Sequence, residues 1–159
     1  MKIAFEPELS ADVRQRVELG VDLHNVAVTQ LPDFYAVALL LRDDDGTVRG
    51  GLLGDIWGGW LHVSFLWVDA PLRHRGWASK LMRAAEKYAV AHGAHDVHLE
   101  TFSFQARPLY EKLGYTVFAT LDDFPPGHKK YFLKRKLTKE VRRGSRRKPR
   151  SAQTISAVR

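Results

Sequence analysis

The segment that most constrains this chain is a basic turn between an apolar strand and an amphipathic helix, Val68-Asp69-Ala70-Pro71-Leu72-Arg73-His74-Arg75-Gly76-Trp77-Ala78-Ser79. A helix that begins in such a turn has backbone N–H groups without intrahelical partners, and its dipole is positive at that end. Gly76 and Ala78 allow the backbone to approach a ligand closely, and Arg73 and Arg75 add positive charge. The composition suits a phosphate-binding turn. It equally suits an ordinary strand-to-helix turn with solvated arginines, so this segment alone leaves both interpretations open.

A second motif follows after one helix and one strand, Ala106-Arg107-Pro108-Leu109-Tyr110-Glu111-Lys112-Leu113-Gly114-Tyr115. The turn Arg73–Ala78 resembles the R/Q-x-x-G-x-G/A turn of the GNAT superfamily of acetyl-CoA-dependent N-acetyltransferases. The second motif resembles that family's A-x-x-(apolar)-Y-x-x-x-G-F/Y segment. Two motifs in the correct order are more specific than either alone. The resemblance covers about residues 1–137.

The resemblance implies an α/β (α+β) GNAT fold, whose central sheet is mixed and mostly antiparallel. Such a sheet has six to seven strands, is splayed in the middle, and is flanked by about four helices. The residue pattern predicts an edge strand near Lys2–Phe5 and a helical region from Ser10 to Val28, which Gly20 is expected to divide. Further strands are predicted at Phe34–Arg42, Thr47–Trp57, Trp60–Asp69, Val97–Phe102, Tyr115–Leu121 and Lys130–Leu137, with helices after Gly76 and from Arg107 to Gly114.

The charge divides the chain in two. The net charge is +7, and residues 138–159 carry eight basic residues against Glu140, so this segment accounts for the whole excess. We therefore expect a GNAT domain over residues 1–137 and a basic, disordered tail over residues 138–159, which is either a tether to RNA or another polyanion or a solubilising extension. No apolar run has membrane-spanning length and no signal peptide opens the chain, so a cytoplasmic protein without membrane contact is expected. Without cysteine or paired histidines, no metal site is predicted.

The family resemblance implies that acetyl-CoA is the cosubstrate. Its phosphates would bind at the turn Arg73, His74, Arg75, Gly76, Trp77, Ala78 and Ser79, and its pantetheine would meet Leu66, Trp67 and Val68 on the preceding strand. Ser103 stands where many relatives have an asparagine, which weakens any transfer of that residue's role, although Ser103 suits a helix cap. Tyr110 matches the motif tyrosine that donates a proton to the leaving thiolate; its alternative role is core packing beside Leu109 and Leu113.

The general base has three candidates. Glu100 lies on the strand where several family members have a catalytic glutamate, and burial would raise its pKa. His62 lies where the serotonin-acetylating branch has a histidine, and its ordinary pKa suits proton removal near neutral pH. The third candidate is a chain of water molecules. Glu100 and His62 also suit plain cross-strand polar pairs.

The acceptor site is indicated only by aromatic and acidic residues near two turns. Trp57 and Trp60 flank Gly58-Gly59, while Phe124, His128 and Tyr131 surround the last loop. With Asp55, Asp122 and Asp123 they would suit a cationic amine, although such residues also serve as core and turn residues.

We therefore expect an N-acetyltransferase in which a primary amine attacks acetyl-CoA directly, with a small molecule as the acceptor. The alternatives are a protein N-terminal or lysine acetyltransferase that takes a peptide amine, and a non-catalytic GNAT-like module that binds acyl-CoA or nucleic acid. The prediction also allows for a homodimer.

Overall fold

The computed structural model describes residues 1–137, which form three α-helices and six strands in one sheet. The helices are α1 (Ala11–Thr29), α2 (Trp77–Ala91) and α3 (Arg107–Lys112), and the strands are β1 (Tyr35–Arg42), β2 (Val48–Trp57), β3 (Trp60–Val68), β4 (Asp96–Phe102), β5 (Thr116–Asp122) and β6 (Lys129–Lys136). Residues 138–159, where the sequence predicts a basic tail, lie outside the described residues.

The sheet order is β1-β2-β3-β4-β6-β5, and every neighbouring pair is antiparallel except β3–β4. This confirms the predicted mixed, mostly antiparallel α/β sheet. A parallel neighbour requires a crossover connection, and α2 provides it. The helix count is three in the described part of the chain, whereas about four were predicted.

The core lies on the sheet face that α2 covers. Side chains alternate between the two faces of a strand, so every second residue of the central strands points at this helix. The fully buried members include Leu52, Leu61, Val97, Leu99 and Leu133 from the sheet and Met82, Ala85 and Ala89 from α2. The helix predicted after Gly76 is confirmed as α2, which buries Leu81, Ala85 and Ala89 and leaves Ala84 and Tyr88 exposed.

Two predictions for the N-terminal region are wrong. Residues Lys2–Phe5 form no strand, and both Ile3 and Phe5 are exposed. Gly20 does not divide the helical region, because α1 runs unbroken from Ala11 to Thr29. A single glycine costs a helix only about 1 kcal/mol, which is too little to break it. No side chain of α1 is buried, so this helix contributes nothing to the main core.

The sheet opens between β3 and β4. Their parallel pairing runs from Trp60↔Asp96 to Val63↔Leu99 and then ends, although both strands continue. In the neighbouring β2–β3 ladder, Leu53 pairs with Phe65 and the next residue, Gly54, pairs with Val63. Ser64 of β3 therefore has no partner in β2. An extra residue of this kind is a β-bulge, which bends its strand and interrupts pairing. The bulge at Ser64 lies at the point where the β3–β4 pairing ends, which is the position of the splay.

Within residues 1–137, no helix has the length and apolar character that a membrane crossing requires. The same residues contain no group of three or more histidine and carboxylate side chains arranged as metal ligands.

Candidate active site

The basic turn lies directly beyond the open ends of β3 and β4. Ala70–Leu72 form a short 3-10 turn, Gly76 adopts the left-handed conformation at φ 81°, and α2 begins at Trp77. No side chain caps the N-terminus of α2. A side chain added at Gly76 would meet no atom within 4 Å, so the turn faces open space. The first amides of α2 are thus free of caps and accessible from outside.

The residues of this turn divide into exposed and packed ones. His74 and Arg75 are exposed, whereas Trp77 and Ala78 are half-buried and pack against the core. Arg73 donates a hydrogen bond from Nε to the carbonyl oxygen of Val68 over 3.0 Å. Arg73 therefore joins the turn to the end of β3, a role that the sequence does not reveal.

The strand that borders the opening presents Leu66, Trp67 and Val68. Leu66 and Val68 point toward the core, whereas Trp67 is half-exposed on the other face. One edge of this segment pairs with β2, and its other edge has no partner in β4, because the β3–β4 pairing ends at Val63↔Leu99. Backbone groups that point to this free edge can bind an extended ligand.

Tyr110 is buried in α3 and packs edge-on against Tyr115, with ring centroids 6.0 Å apart. Burial raises the pKa of Tyr110 above its ordinary value. The phenol is therefore protonated at neutral pH and has a hydrogen to donate.

A buried polar network supports the ring of Tyr110 through its neighbour Tyr115. The Tyr115 hydroxyl donates to Glu86 Oε1 of α2 over 2.7 Å. Arg135 forms an ion pair with the other oxygen of Glu86 and donates to the Leu113 carbonyl over 3.0 Å. Burial, with the Glu86 carboxylate as the next cause, raises the pKa of Tyr115 far above its ordinary value. The network connects α2, α3 and β6.

His62 and His98 form a stacked pair on the sheet face away from α2. They are register partners in the parallel β3–β4 ladder, and their rings lie 4.6 Å apart at an interplanar angle of 6°. On the other side, Asp55 Oδ1 of β2 lies 3.3 Å from His62 Nδ1. Burial, followed by the proximity of His62, lowers the pKa of His98. The pair lies next to Val63 and Leu99, where the splay begins.

Glu100 differs from the expectation. Its carboxylate is exposed rather than buried, and it forms an ion pair with Lys130 of β6. The burial that this prediction assumed for Glu100 is therefore absent.

The aromatic and acidic residues predicted for the acceptor site fall into two separate groups. Trp57, Trp60 and Asp55 line a cleft that also contains His62 and His98, with a volume of about 300 Å³. We call this cleft the inner compartment. A second cleft of about 360 Å³, the outer compartment, shares Asp55 and Trp57 with it. Its remaining walls are Asp22, Asn25 and Val26 of α1 with Leu31, Pro32 and Phe34 of the following loop.

Phe124 and His128 lie elsewhere, at the carboxyl end of β4. Phe124 packs edge-on against Phe102 at 5.8 Å, and His128 packs against Phe104 at 4.9 Å. Asp122 pairs with Lys129 over 2.6 Å. Asp123 accepts the Gly127 N–H over 2.7 Å. Both aspartates thus serve the β5–β6 connection.

Tyr131 and Ser103 also serve structural contacts in this region. Tyr131 lies under the Arg107 guanidinium at 4.3 Å. Ser103 does not cap α3, whose N-cap is Ala106 without a side-chain hydrogen bond. Instead its hydroxyl accepts the Lys129 N–H over 3.2 Å, which ties the β5–β6 connection to β4.

The sequence reasoning missed His98, Asp22, Asn25 and Phe34. His98 shares a strand face with Glu100, and its neighbour His62 becomes visible only once β3 and β4 are known to pair in parallel. Asp22 and Asn25 are three residues apart on α1 and so lie on one helix face, which is a readable signal. Nothing in the sequence indicates that this face meets Trp57.

A splayed mixed sheet with an open helix N-terminus beside the splay defines an acetyltransferase of the GNAT class. The model of the Acetyltransferase (GNAT) family matches residues 12–115. This match spans more than half of the chain, which therefore belongs to the GNAT family of acetyltransferases, as the two sequence motifs predict.

Among known proteins, the chain is similar to a blasticidin-S acetyltransferase of Streptomyces morookaense. The two are 40% identical over 93 residues, which are 58% of this chain and 68% of the relative. A crystal structure of an acetyltransferase from Bacillus cereus superimposes with a TM-score of 0.72 at 28% identity and covers 84% of this chain and 98% of its own. A Bacillus anthracis protein solved in complex with acetyl coenzyme A shares the fold, with a TM-score of 0.57 at 15% identity over 64% of this chain and 62% of its own.

Proposed function

We propose that this protein transfers the acetyl group of acetyl-CoA to a primary amine of a small molecule, by direct attack of the amine. The observation that carries the proposal is the position of the His62–His98 pair in a cleft beside the point where β3 and β4 separate. The Streptomyces relative is named as an acetyltransferase of blasticidin S, which is a small molecule, and this supports a small acceptor.

The turn and the splay suit acetyl-CoA as the cosubstrate. The uncapped first amides of α2 and the left-handed Gly76 in open surroundings fit a pyrophosphate, and the exposed Arg75 adds positive charge. When bound, acetyl-CoA supplies an acetyl group activated as a thioester and a thiolate leaving group. The free edge of β3 at Leu66–Val68 would hold the pantetheine and donate backbone N–H groups to the thioester carbonyl.

His62 is the proposed general base. Its Nδ1 faces Asp55, so the neutral ring would carry its proton there and leave Nε2 as an acceptor. The carboxylate of Asp55 also stabilises the imidazolium that forms once His62 has taken the amine proton. His98 remains neutral beneath it, because burial and His62 both disfavour its protonation. In this arrangement Asp55 and His98 position the base.

Glu100 is the weaker candidate for the base. Its carboxylate is exposed and already paired with Lys130, so it is less available to a bound amine.

Tyr110 is the proposed acid. It stays protonated at neutral pH because burial raises its pKa above the ordinary value. A donor of this kind can protonate the thiolate as the carbon–sulfur bond breaks.

The experiment is a free-thiol release assay with acetyl-CoA against blasticidin S, polyamines, aminoglycosides, amino acids and peptides. We expect turnover with at least one small amine and none with the peptides. Release of thiol only with peptides would contradict the proposed acceptor class. No release with any amine, in a protein that binds acetyl-CoA, would contradict the proposed activity.

The base is tested by the dependence of kcat/KM on pH in His62→Gln and Glu100→Gln, which keep side-chain hydrogen bonding but lose basicity. Since the base works only when unprotonated, the wild-type rate should rise with pH through its pKa. We expect His62→Gln to lose this rise and Glu100→Gln to keep it. Loss of the rise in Glu100→Gln alone would assign the base to Glu100, and its persistence in both variants would leave a water chain.

A further inference from the structure

The inner and outer compartments share the side chains of Asp55 and Trp57 as common walls. The two clefts therefore adjoin at Asp55 and Trp57, next to the place where the reacting amine would lie beside His62. Trp57 is fixed in this position because its indole N–H donates to the carbonyl of Leu31 over 3.2 Å. The outer compartment thus borders the proposed acceptor site at Trp57.

The outer compartment contains a carboxylate without a partner. Asp22 forms no ion pair or side-chain hydrogen bond with any of residues 1–137, and no lysine, arginine or histidine lines this compartment. Asp55, the second carboxylate in its walls, already contacts His62. Asp22 is therefore the carboxylate that is available to a ligand, and Asn25 on the same face of α1 provides a further polar group.

Two aromatic side chains also line this cleft. Phe34 and Trp57 line the same cleft, and both are partly exposed. Ring faces attract cations, and the attraction is stronger where water is partly excluded. A carboxylate among aromatic walls therefore selects a positively charged group over a neutral polar one.

Resting on the proposed function, we infer that the acceptor is dibasic. One amine reacts beside His62, and a second group, an amine, amidine or guanidine that does not react, binds at Asp22 between Phe34 and Trp57. The compartments of about 300 and 360 Å³ fall within the usual range of small-molecule sites, which supports a compact acceptor rather than an extended peptide.

The test compares two probes, agmatine and butylamine, which share a primary amine on a four-carbon chain. Only agmatine has the second cation, a guanidinium that cannot replace the amine as the nucleophile. Their affinities are measured by isothermal titration calorimetry, which requires no turnover, in the wild type, Asp22→Asn and Glu18→Gln. Glu18 lies one turn earlier on α1, pairs with Arg14 at 3.9 Å and does not line the cleft, so its substitution removes the same charge elsewhere.

We expect the wild type to bind agmatine at least about tenfold more tightly than butylamine. Asp22→Asn should lose most of this preference, and Glu18→Gln should retain it. In the acetylation assay, Asp22→Asn should raise KM for agmatine while kcat changes little, because Asp22 lies away from the reacting atoms.

Equal affinity for the two probes in the wild type, or an unchanged preference in a folded Asp22→Asn variant, would overturn the inference. The two proposals fail separately. Preferential, Asp22-dependent binding of agmatine without thiol release from acetyl-CoA for any amine would contradict only the proposed activity. Acetylation of agmatine and butylamine with equal kcat/KM would contradict only the dibasic acceptor.

Discussion

Removing one hydroxyl from the buried network behind Tyr110 should have a measurable cost in stability. Tyr115→Phe keeps the ring that packs edge-on against Tyr110 and deletes the 2.7 Å hydrogen bond to Glu86. A hydrogen bond to a charged group contributes about 1.5–3 kcal/mol, and Glu86 is almost buried, so water compensates only weakly. We expect a loss of about 2 kcal/mol in the free energy of unfolding.

For a domain of this size, a loss of about 2 kcal/mol corresponds to a fall in Tm of roughly 6 °C. The assay is thermal and urea denaturation of Tyr115→Phe beside Tyr88→Phe, which deletes the same atom from an exposed tyrosine of α2. The control should stay within about 0.5 kcal/mol of the wild type. Equal stability of the two variants would refute the reasoning.

The pH dependence provides a second check on this network. The pKa of Tyr115 is raised in the folded protein, mainly by burial and then by the Glu86 carboxylate. A group with a raised pKa stabilises the fold fully below its unfolded pKa, which is about 10 for tyrosine. The difference in stability between the wild type and Tyr115→Phe should therefore be constant near neutral pH and shrink above about pH 10.

Two further predictions concern the opening and the acid. Gly54→Ala should lower the free energy of unfolding by about 3 kcal/mol, because the new Cβ would lie 2.2 Å from the His62 carbonyl oxygen at the bulge. Its control is Gly20→Ala in α1, where the new Cβ would meet no atom within 4 Å, and this substitution should raise the free energy of unfolding by up to about 1 kcal/mol. Urea denaturation measures both, and equal effects would contradict the bulge geometry. Tyr110→Phe should lower kcat roughly tenfold to a thousandfold with acetyl-CoA affinity nearly unchanged; an unaltered kcat would mean that water protonates the thiolate.

The sequence predicts the bounds of the helices and strands better than it predicts which of them pair or pack together. The helices after Gly76 and Arg107 and all six strands of the sheet begin and end within a few residues of their predicted bounds, because turn residues and apolar periodicity act locally. The strand expected at Lys2–Phe5 has the right local pattern but finds no neighbour to pair with. Local propensity does not create a strand without a partner.

The candidate site was predictable to the extent that it is contiguous in sequence. The turn around Gly76 is one short segment, and its conformation follows from residue types. The surroundings of Glu100 depend on Lys130, thirty positions away in sequence and adjacent only through the β4–β6 pairing. His98 and Asp22 likewise gain their neighbours from tertiary contacts. Charges brought together by the fold, rather than by the chain, are what sequence reasoning could not place.

The interrupted pairing of β3 and β4 makes the centre of this sheet behave like an edge. Beyond Val63 in β3 and Leu99 in β4, the main-chain donors and acceptors on the facing edges of the two strands are not paired with each other. An extended ligand that entered there would act as a missing strand, and the free main-chain groups would exchange hydrogen bonds to water for hydrogen bonds to that ligand. Amide hydrogen exchange of those amides in Leu66–Val68 that do not bond to β2 should then report occupancy directly, with fast exchange in the free protein and protection in the complex.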